Sequence, residues 1–205
     1  MNQLKSTSSI TGESYKIPAN DDKDNLISFL ETNNDKKIVA VQGLGFVGTV
    51  MSLVVANSDK GEYSVIGVDR ATEESYWKIA EINKGICPVI SSDPLVLEFF
   101  KNSKQKNNLY ATHDTNAFSY ADTIIIDINL DVRKERDKSG NIKSYDVPID
   151  GFKLAIESIG KVCKEDVLIL IETTVPPGTC QKIAYPIIID QLKKRGLPTN
   201  KFNLG

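Results

Sequence analysis

Apolar residues in this chain fall into short β-branched blocks separated by stretches of helical spacing. The blocks are Ile38-Val39-Ala40-Val41, Ser64-Val65-Ile66-Gly67-Val68, Thr123-Ile124-Ile125-Ile126-Asp127-Ile128 and residues 166–171, DVLILI. Continuous apolar runs of this length read as strands buried on both faces of a parallel sheet. Helices are predicted between them: over 46–57, from an N-cap at Thr72 to a stop at Asn83-Lys84-Gly85, from Pro94 through Phe100, over 150–162, and from about Thr179 to Lys194. Asn108 to Thr112 is a short strand, Thr115 to Tyr120 a short helix, and Phe202 to Gly205 a further strand. Strands alternating with helices predict an α/β fold, a Rossmann-like doubly wound and mainly parallel sheet.

Two stretches lie outside that alternation. Residues 1–35 form an N-terminal extension ahead of a domain spanning 36–205. Its first 20 residues are polar and are expected to be mobile. Acids at Asp21, Asp22 and Asp24, followed by Leu26, Ile27, Phe29 and Leu30, predict a short helix ended by Asn33-Asn34-Asp35. Residues 133–145, RKERDKSGNIKSY, are too charged to bury and are expected to form a flexible loop beside the carboxyl end of a central strand.

The turn after the first strand carries the clearest chemistry. Gly43-Leu44-Gly45-Phe46-Val47-Gly48 is a complete G-x-G-x-x-G. In a dinucleotide site the first glycine permits the tight turn. The second lets a pyrophosphate reach the backbone, and the third lets the helix lie close to the strand. The helix N-terminus then offers free N–H groups and a partial positive charge to the phosphates. Asp69 ends the next strand, twenty-one residues after Gly48, where an acid can hold the adenosine ribose hydroxyls. That acid repels a 2′-phosphate, so NAD is expected rather than NADP. Arg70 beside it can lie against the adenine face.

Composition narrows the options without adding a site. The 205 residues are 40% hydrophobic and 25% charged, an ordinary globular balance. A net charge of −2 supplies no field for nucleic acid or an anionic membrane. No run approaches the roughly 18 apolar residues of a membrane span, and the N-terminus has no secretory apolar core, so the cytoplasm is expected. Cys87, Cys163 and Cys180 lack disulfide or zinc spacing, and His113 is the only histidine, so no metal site is expected.

A second motif, Glu172-Thr173-Thr174-Val175-Pro176-Pro177-Gly178-Thr179-Cys180, follows a central strand on the ligand side. Its prolines and glycine make a rigid turn, and its hydroxyls can cap the next helix or reach a ligand. Cys180 has no identifiable basic partner and is read as structural. These pieces appear with INKGICPVISSDPLV (82–96), LYATHD (109–114) and ADTIII (121–126). In that order, over about residues 37–190, the chain resembles the N-terminal NAD-binding domain of the UDP-glucose/UDP-N-acetylhexosamine 6-dehydrogenases.

The resemblance implies an enzyme that oxidises C6 of a UDP-sugar to the uronate with two NAD per turnover. UDP-N-acetylhexosamine is favoured by the T-V-P-P-G-T wording, and UDP-glucose comes next. Gly43, Gly45, Phe46, Val47 and Gly48 would hold the pyrophosphate and Asp69 the ribose. Thr174 would lie beside the nicotinamide, where the family threonine positions a catalytic water. Asn129 is a further expected cofactor contact, although Ile128-Asn129-Leu130-Asp131 departs from the V-P-T-P-like ending of the family and Glu172 replaces a frequent Ser or Lys. The family's S-P-E segment, its Lys and Asn helix and its thiol nucleophile come later than Gly205. The chain is therefore expected to bind NAD without turning over alone, and to dimerise only with the family's C-terminal region. Two other readings stay open: another NAD-dependent hydroxyacid-type dehydrogenase, and a non-catalytic dinucleotide-binding module.

Overall fold

The computed structural model describes residues 4–59, 62–130 and 133–205. Asp131, and the first three residues of the extension, lie outside it. In chain order the elements are β1 (Lys5–Thr7), β2 (Ser14–Lys16), α1 (Lys23–Thr32), β3 (Lys37–Gln42), α2 (Phe46–Ala56), β4 (Tyr63–Val68), α3 (Tyr76–Lys84) and α4 (Pro94–Lys106). They continue as β5 (Leu109–Thr112), β6 (Thr123–Ile126), β7 (Arg133–Arg136), β8 (Ile142–Asp146), α5 (Ile149–Gly160), β9 (Leu168–Ile171), α6 (Tyr185–Lys194) and β10 (Asn203–Leu204).

Six strands form one parallel sheet in the order β10-β9-β6-β3-β4-β5. From β3 the chain winds outward through β4 to β5, then crosses back to β6 on the other side of β3. The reversal leaves a crevice outside the carboxyl ends of β3 and β6, where such sheets take ligands. The fold expected from the apolar blocks is the fold observed.

Each central strand is buried on both faces, and its residues alternate between two cores. Val39, Val41, Val65 and Ile125 meet Leu53, Ile79, Ile82, Val96 and Phe100 on one face. Ile38, Ala40, Ile66, Val68, Ile124 and Ile126 meet Phe118, Phe152, Ile156, Ile159, Ile188 and Leu192 on the other. Leu26 and Phe29 of α1 belong to this second core. The connection from β5 back to β6 holds only a single 3-10 turn, Thr115–Ser119, and α1 packs against β5 beside it. Phe29 stacks on Tyr110 with ring centroids 5.4 Å apart.

Three expectations are corrected. Residues 4–16 are not a loose tail: β1 and β2 pair as an antiparallel hairpin that packs on α3. Its turn is held by Ser8, whose Oγ accepts from the N–H groups of Ile10 and Thr11 at 3.1 Å. Small polar residues are buried here because hydrogen bonds satisfy them, a pattern that apolar periodicity does not reveal. Residues 133–146 are not a structureless loop either. β7 and β8 pair as a second hairpin, with Tyr145 and Ile142 exposed, because a two-strand ladder satisfies backbone groups without needing an apolar face. Finally, α3 begins at Tyr76, not after a Thr72 cap. The helix predicted from about Thr179 to Lys194 is present, its first turn a π-turn over Cys180–Ala184.

Candidate nucleotide site

The glycine turn lies at the sheet's reversal. Gly43 has φ +100°, and its N–H donates to Val68 O at 2.8 Å, tying the turn to the end of β4. A Cβ there would lie 2.3 Å from Asp127 O, so only glycine fits between β3 and the end of β6. A Cβ on Gly48 would lie 2.0 Å from Gly43 O, which is the close helix–strand approach the motif predicts. Gly45 is different. Its φ of −68° suits any residue, and nothing lies within 4 Å of the Cβ it lacks. The open space above it is what an approaching phosphate would need.

α2 starts at Phe46 without any side-chain cap, so its first-turn N–H groups are left for a ligand. Phe46 and Val47 are more than half exposed at that end, while Leu44 is fully buried. Leu44 N–H donates to Asp69 Oδ2 at 3.1 Å, so the predicted ribose acid is bonded directly to the predicted phosphate turn. Asp69 Oδ1 accepts from Arg70 N–H at 2.8 Å, and Lys78 Nζ pairs with Oδ2 at 3.2 Å. Arg70 is exposed on the rim.

Two side-chain atoms at the same edge are buried and without a hydrogen-bond partner among the described residues: Gln42 Oε1 at the end of β3 and Asp127 Oδ2 just past β6. Burial, and then the charge of Glu172, push the Asp127 carboxyl above its ordinary range. The glycine cradle and the uncapped helix end meet at one crevice and suit a phosphate group, which takes N–H donors and needs close access to the backbone. No group of metal-ligating side chains occurs among the described residues.

The Glu172–Cys180 motif divides its threonines between two tasks. Thr173 is buried; its hydroxyl accepts from Ile128 N–H at 3.0 Å and lies 3.1 Å from Ile128 O. It therefore stitches the end of β9 to the end of β6. Thr174 is exposed on the ligand edge, and Asn129 is exposed just past β6 on that edge. Cys180 opens the π-turn ahead of α6.

Sequence reasoning missed Lys78, which stands nine residues beyond Asp69 and meets it only because α3 folds back over the turn. It also missed Asp127, whose signal was present: an acid directly after three consecutive isoleucines of a central strand. A hollow of about 350 Å³ lies on the glycine turn, lined by Ser9, Ile10, Gly45, Phe46, Lys78 and Val89 among others. A larger one, about 510 Å³, lies beside β5 and away from the turn, between Asp22, Tyr76, Tyr110 and His113. His113 Nε2 is 3.1 Å from Asn20 O there, consistent with a structural histidine.

The model for the NAD-binding domain of the UDP-glucose/GDP-mannose dehydrogenase family matches residues 37–205. UDP-N-acetyl-D-mannosamine dehydrogenase of Pyrococcus horikoshii is 27% identical over 146 residues, 71% of this chain and 30% of that protein. UDP-glucose 6-dehydrogenase of Rickettsia prowazekii is 28% identical over 159 residues, 77% of this chain and 31% of that one. Among solved structures, a ternary complex of GDP-mannose dehydrogenase from Pseudomonas aeruginosa is 25% identical with a TM-score of 0.63, covering 81% of this chain and 34% of the other. The chain thus spans about a third of the length of the curated relatives it matches. No helix among the described residues is long and apolar enough to cross a membrane.

Proposed function

The chain belongs to the UDP-glucose/GDP-mannose dehydrogenase family, whose NAD-binding domain it carries, and from that premise we propose that it holds NAD for the oxidation of C6 of a UDP-sugar to the uronate. UDP-N-acetylhexosamine is the favoured sugar and UDP-glucose the next. The single observation that carries this reading is the direct bond from the glycine turn to an acid at the neighbouring strand end, Leu44 N–H to Asp69.

In this reading the N–H groups of Phe46, Val47 and Gly48 take the pyrophosphate, with Gly45 giving it room. Asp69 takes the adenosine ribose and disfavours a 2′-phosphate by charge, while Lys78 keeps the acid in place and offsets its repulsion of the nearby phosphates. Arg70 lies against the adenine, and Asn129 and Thr174 face the nicotinamide half. Bound NAD supplies a hydride acceptor. Thr174 would orient a water at the reacting carbon, and Thr173, bonded inward, fixes where Thr174 stands. No thiol of this chain is assigned a nucleophile's part. Turnover is proposed for these residues together with the remainder of a polypeptide of the relatives' length, and the 205 residues alone are proposed to bind NAD without oxidising sugar.

Thermal unfolding with and without NAD tests this. NAD at a hundred times its dissociation constant should stabilise the domain by about 2.7 kcal/mol, and NADP should do so less at equal concentration. An unchanged melting temperature with millimolar NAD, or tighter binding of NADP, would count against the reading. Restoring a full-length chain and supplying a panel of UDP-sugars then tests the sugar assignment.

A further inference from the structure

The family match begins at residue 37, yet the wall of the hollow on the glycine turn includes residues well before it. Ser9 and Ile10, at the tip of the β1–β2 hairpin, line that hollow together with Gly45, Phe46 and Lys78. Ile10 is half-buried, and Ile90 on the facing rim is 76% exposed. The rim is thus apolar on both sides, while its floor is the uncapped start of α2.

The hairpin also sets the start of α3. Ser75, at that helix's N-cap position, makes no side-chain cap. The cap comes instead from Ser6, 71 residues before Trp77: its fully buried hydroxyl accepts from Trp77 N–H at 3.0 Å and donates to Glu73 O at 2.7 Å. One turn on, Thr11 Oγ1 donates to Glu81 Oε1 at 2.8 Å. The residue after Trp77 is Lys78, the ion-pair partner of Asp69. The hairpin thereby holds the helix end that carries the lysine that holds the acid.

Resting on the NAD reading above, we propose that the N-terminal hairpin is part of the nucleotide site: Ile10 closes the apolar wall against the adenosine half of NAD, and Ser6 is a positioning residue for Lys78 and Asp69. The adenosine half is the occupant because the wall stands over Lys78 and Gly45, at the ribose and phosphate end of the groove.

The test measures dissociation constants for NAD and for ADP-ribose, which lacks the nicotinamide, on the full 205-residue chain and its Ile10→Asp, Ile10→Val, Ser6→Ala and Ser6→Thr variants. Calorimetry is read well below the melting temperature. Quenching of Trp77, the only tryptophan, serves as a second signal. Ile10→Asp, at the half-buried hairpin tip, should weaken both ligands about tenfold and in parallel, while Ile10→Val stays within about twofold of the parent. Ser6→Ala should weaken both by about five-fold, and Ser6→Thr, which keeps the hydroxyl, should bring both back to within about twofold of the parent; equal binding by Ser6→Ala, or no recovery with Ser6→Thr, would remove the positioning role. If the parent binds NAD and Ile10→Asp binds it equally well, the hairpin has no part in the site and the proposal falls while the NAD reading stands. Loss confined to NAD with ADP-ribose unaffected would place the wall at the wrong end. A parent chain that binds neither ligand would remove the NAD reading and this proposal with it.

Discussion

β6 carries an aspartate immediately outside each end, and the two live under opposite conditions. At the amino end, Asp122 Oδ2 accepts from Ile38 N–H at 2.9 Å and Oδ1 pairs with Lys164 at 2.7 Å. Burial alone would raise its carboxyl, but the Lys164 and Ile38 bonds and the charges of Lys164 and Lys37 outweigh it and hold it below the ordinary range. At the carboxyl end, Asp127 has one oxygen buried and unpartnered, and its carboxyl is pushed up. One acid ties β3, β6 and the segment after α5 together; the other keeps hydrogen-bonding capacity in reserve beside the glycine turn. One acid is fully engaged at the amino edge of the sheet, while the other leaves a buried oxygen without a partner among the described residues at the carboxyl edge, a state that costs folding free energy.

Substitutions can break or sharpen this contrast. The largest effect is expected from Gly48→Ala, whose Cβ would meet Gly43 O at 2.0 Å. It should lose roughly 3 kcal/mol or more in urea unfolding and abolish NAD binding. Gly45→Ala, three residues away, should do the reverse. With open space and an ordinary φ, its stability should stay within about 0.5 kcal/mol while NAD affinity falls about tenfold or more, roughly 1.4 kcal/mol. Equal damage to both properties would erase the distinction between the helix–strand contact and the ligand cradle.

At the amino end, Asp122→Ala should cost about 1 kcal/mol at pH 7, from a bared Ile38 N–H and a partly exposed ion pair. Asp122→Asn retains an acceptor and removes only the charge. Because the folded carboxyl titrates lower than the unfolded one, that part of the stability is present above the ordinary aspartate value and lost as pH falls through the folded value. The Asn variant and the parent should therefore converge in strong acid. Asp127→Asn should give the smallest change and the opposite sign. Its folded carboxyl titrates above the unfolded one, so ionisation opposes folding at neutral pH. The variant should be more stable at pH 7, by less than about 1 kcal/mol, with the gap shrinking as pH falls and both forms become neutral. A stabilising Asp122→Asn or a strongly destabilising Asp127→Asn in the same urea titrations would overturn the contrast.

The carboxyl edge was the more legible end of the molecule. Isoleucine and valine blocks announced the strands, and the glycine spacing with Asp69 announced the turn, because backbone geometry there admits few residue types. The amino end was silent in sequence. Nothing about Asp122 distinguishes it from any surface acid until Ile38 N–H and Lys164 are seen beside it. The hairpin over α3 escaped for a related reason. Ser6 is buried through two hydrogen bonds, and serine in a polar stretch reads as solvent-exposed. Residue chemistry alone left Thr173 and Thr174 equivalent and only the family resemblance singled out Thr174; that Thr173 is the one turned inward is seen from its bonds to Ile128. Lys78 could be found only once α3 was placed over Asp69.

The place of α1 has a consequence for how the polypeptide is made. Leu26 and Phe29 share a core with Phe118, and Asp22 accepts a hydrogen bond from Tyr110, 88 residues later. At ribosomal rates of about 5–20 residues per second, the apolar side of that helix is synthesised roughly 4 to 18 seconds before its partner strand. During that interval its apolar side has no partner strand, and the nascent domain cannot seal its second core until β5 and the segment after it have emerged.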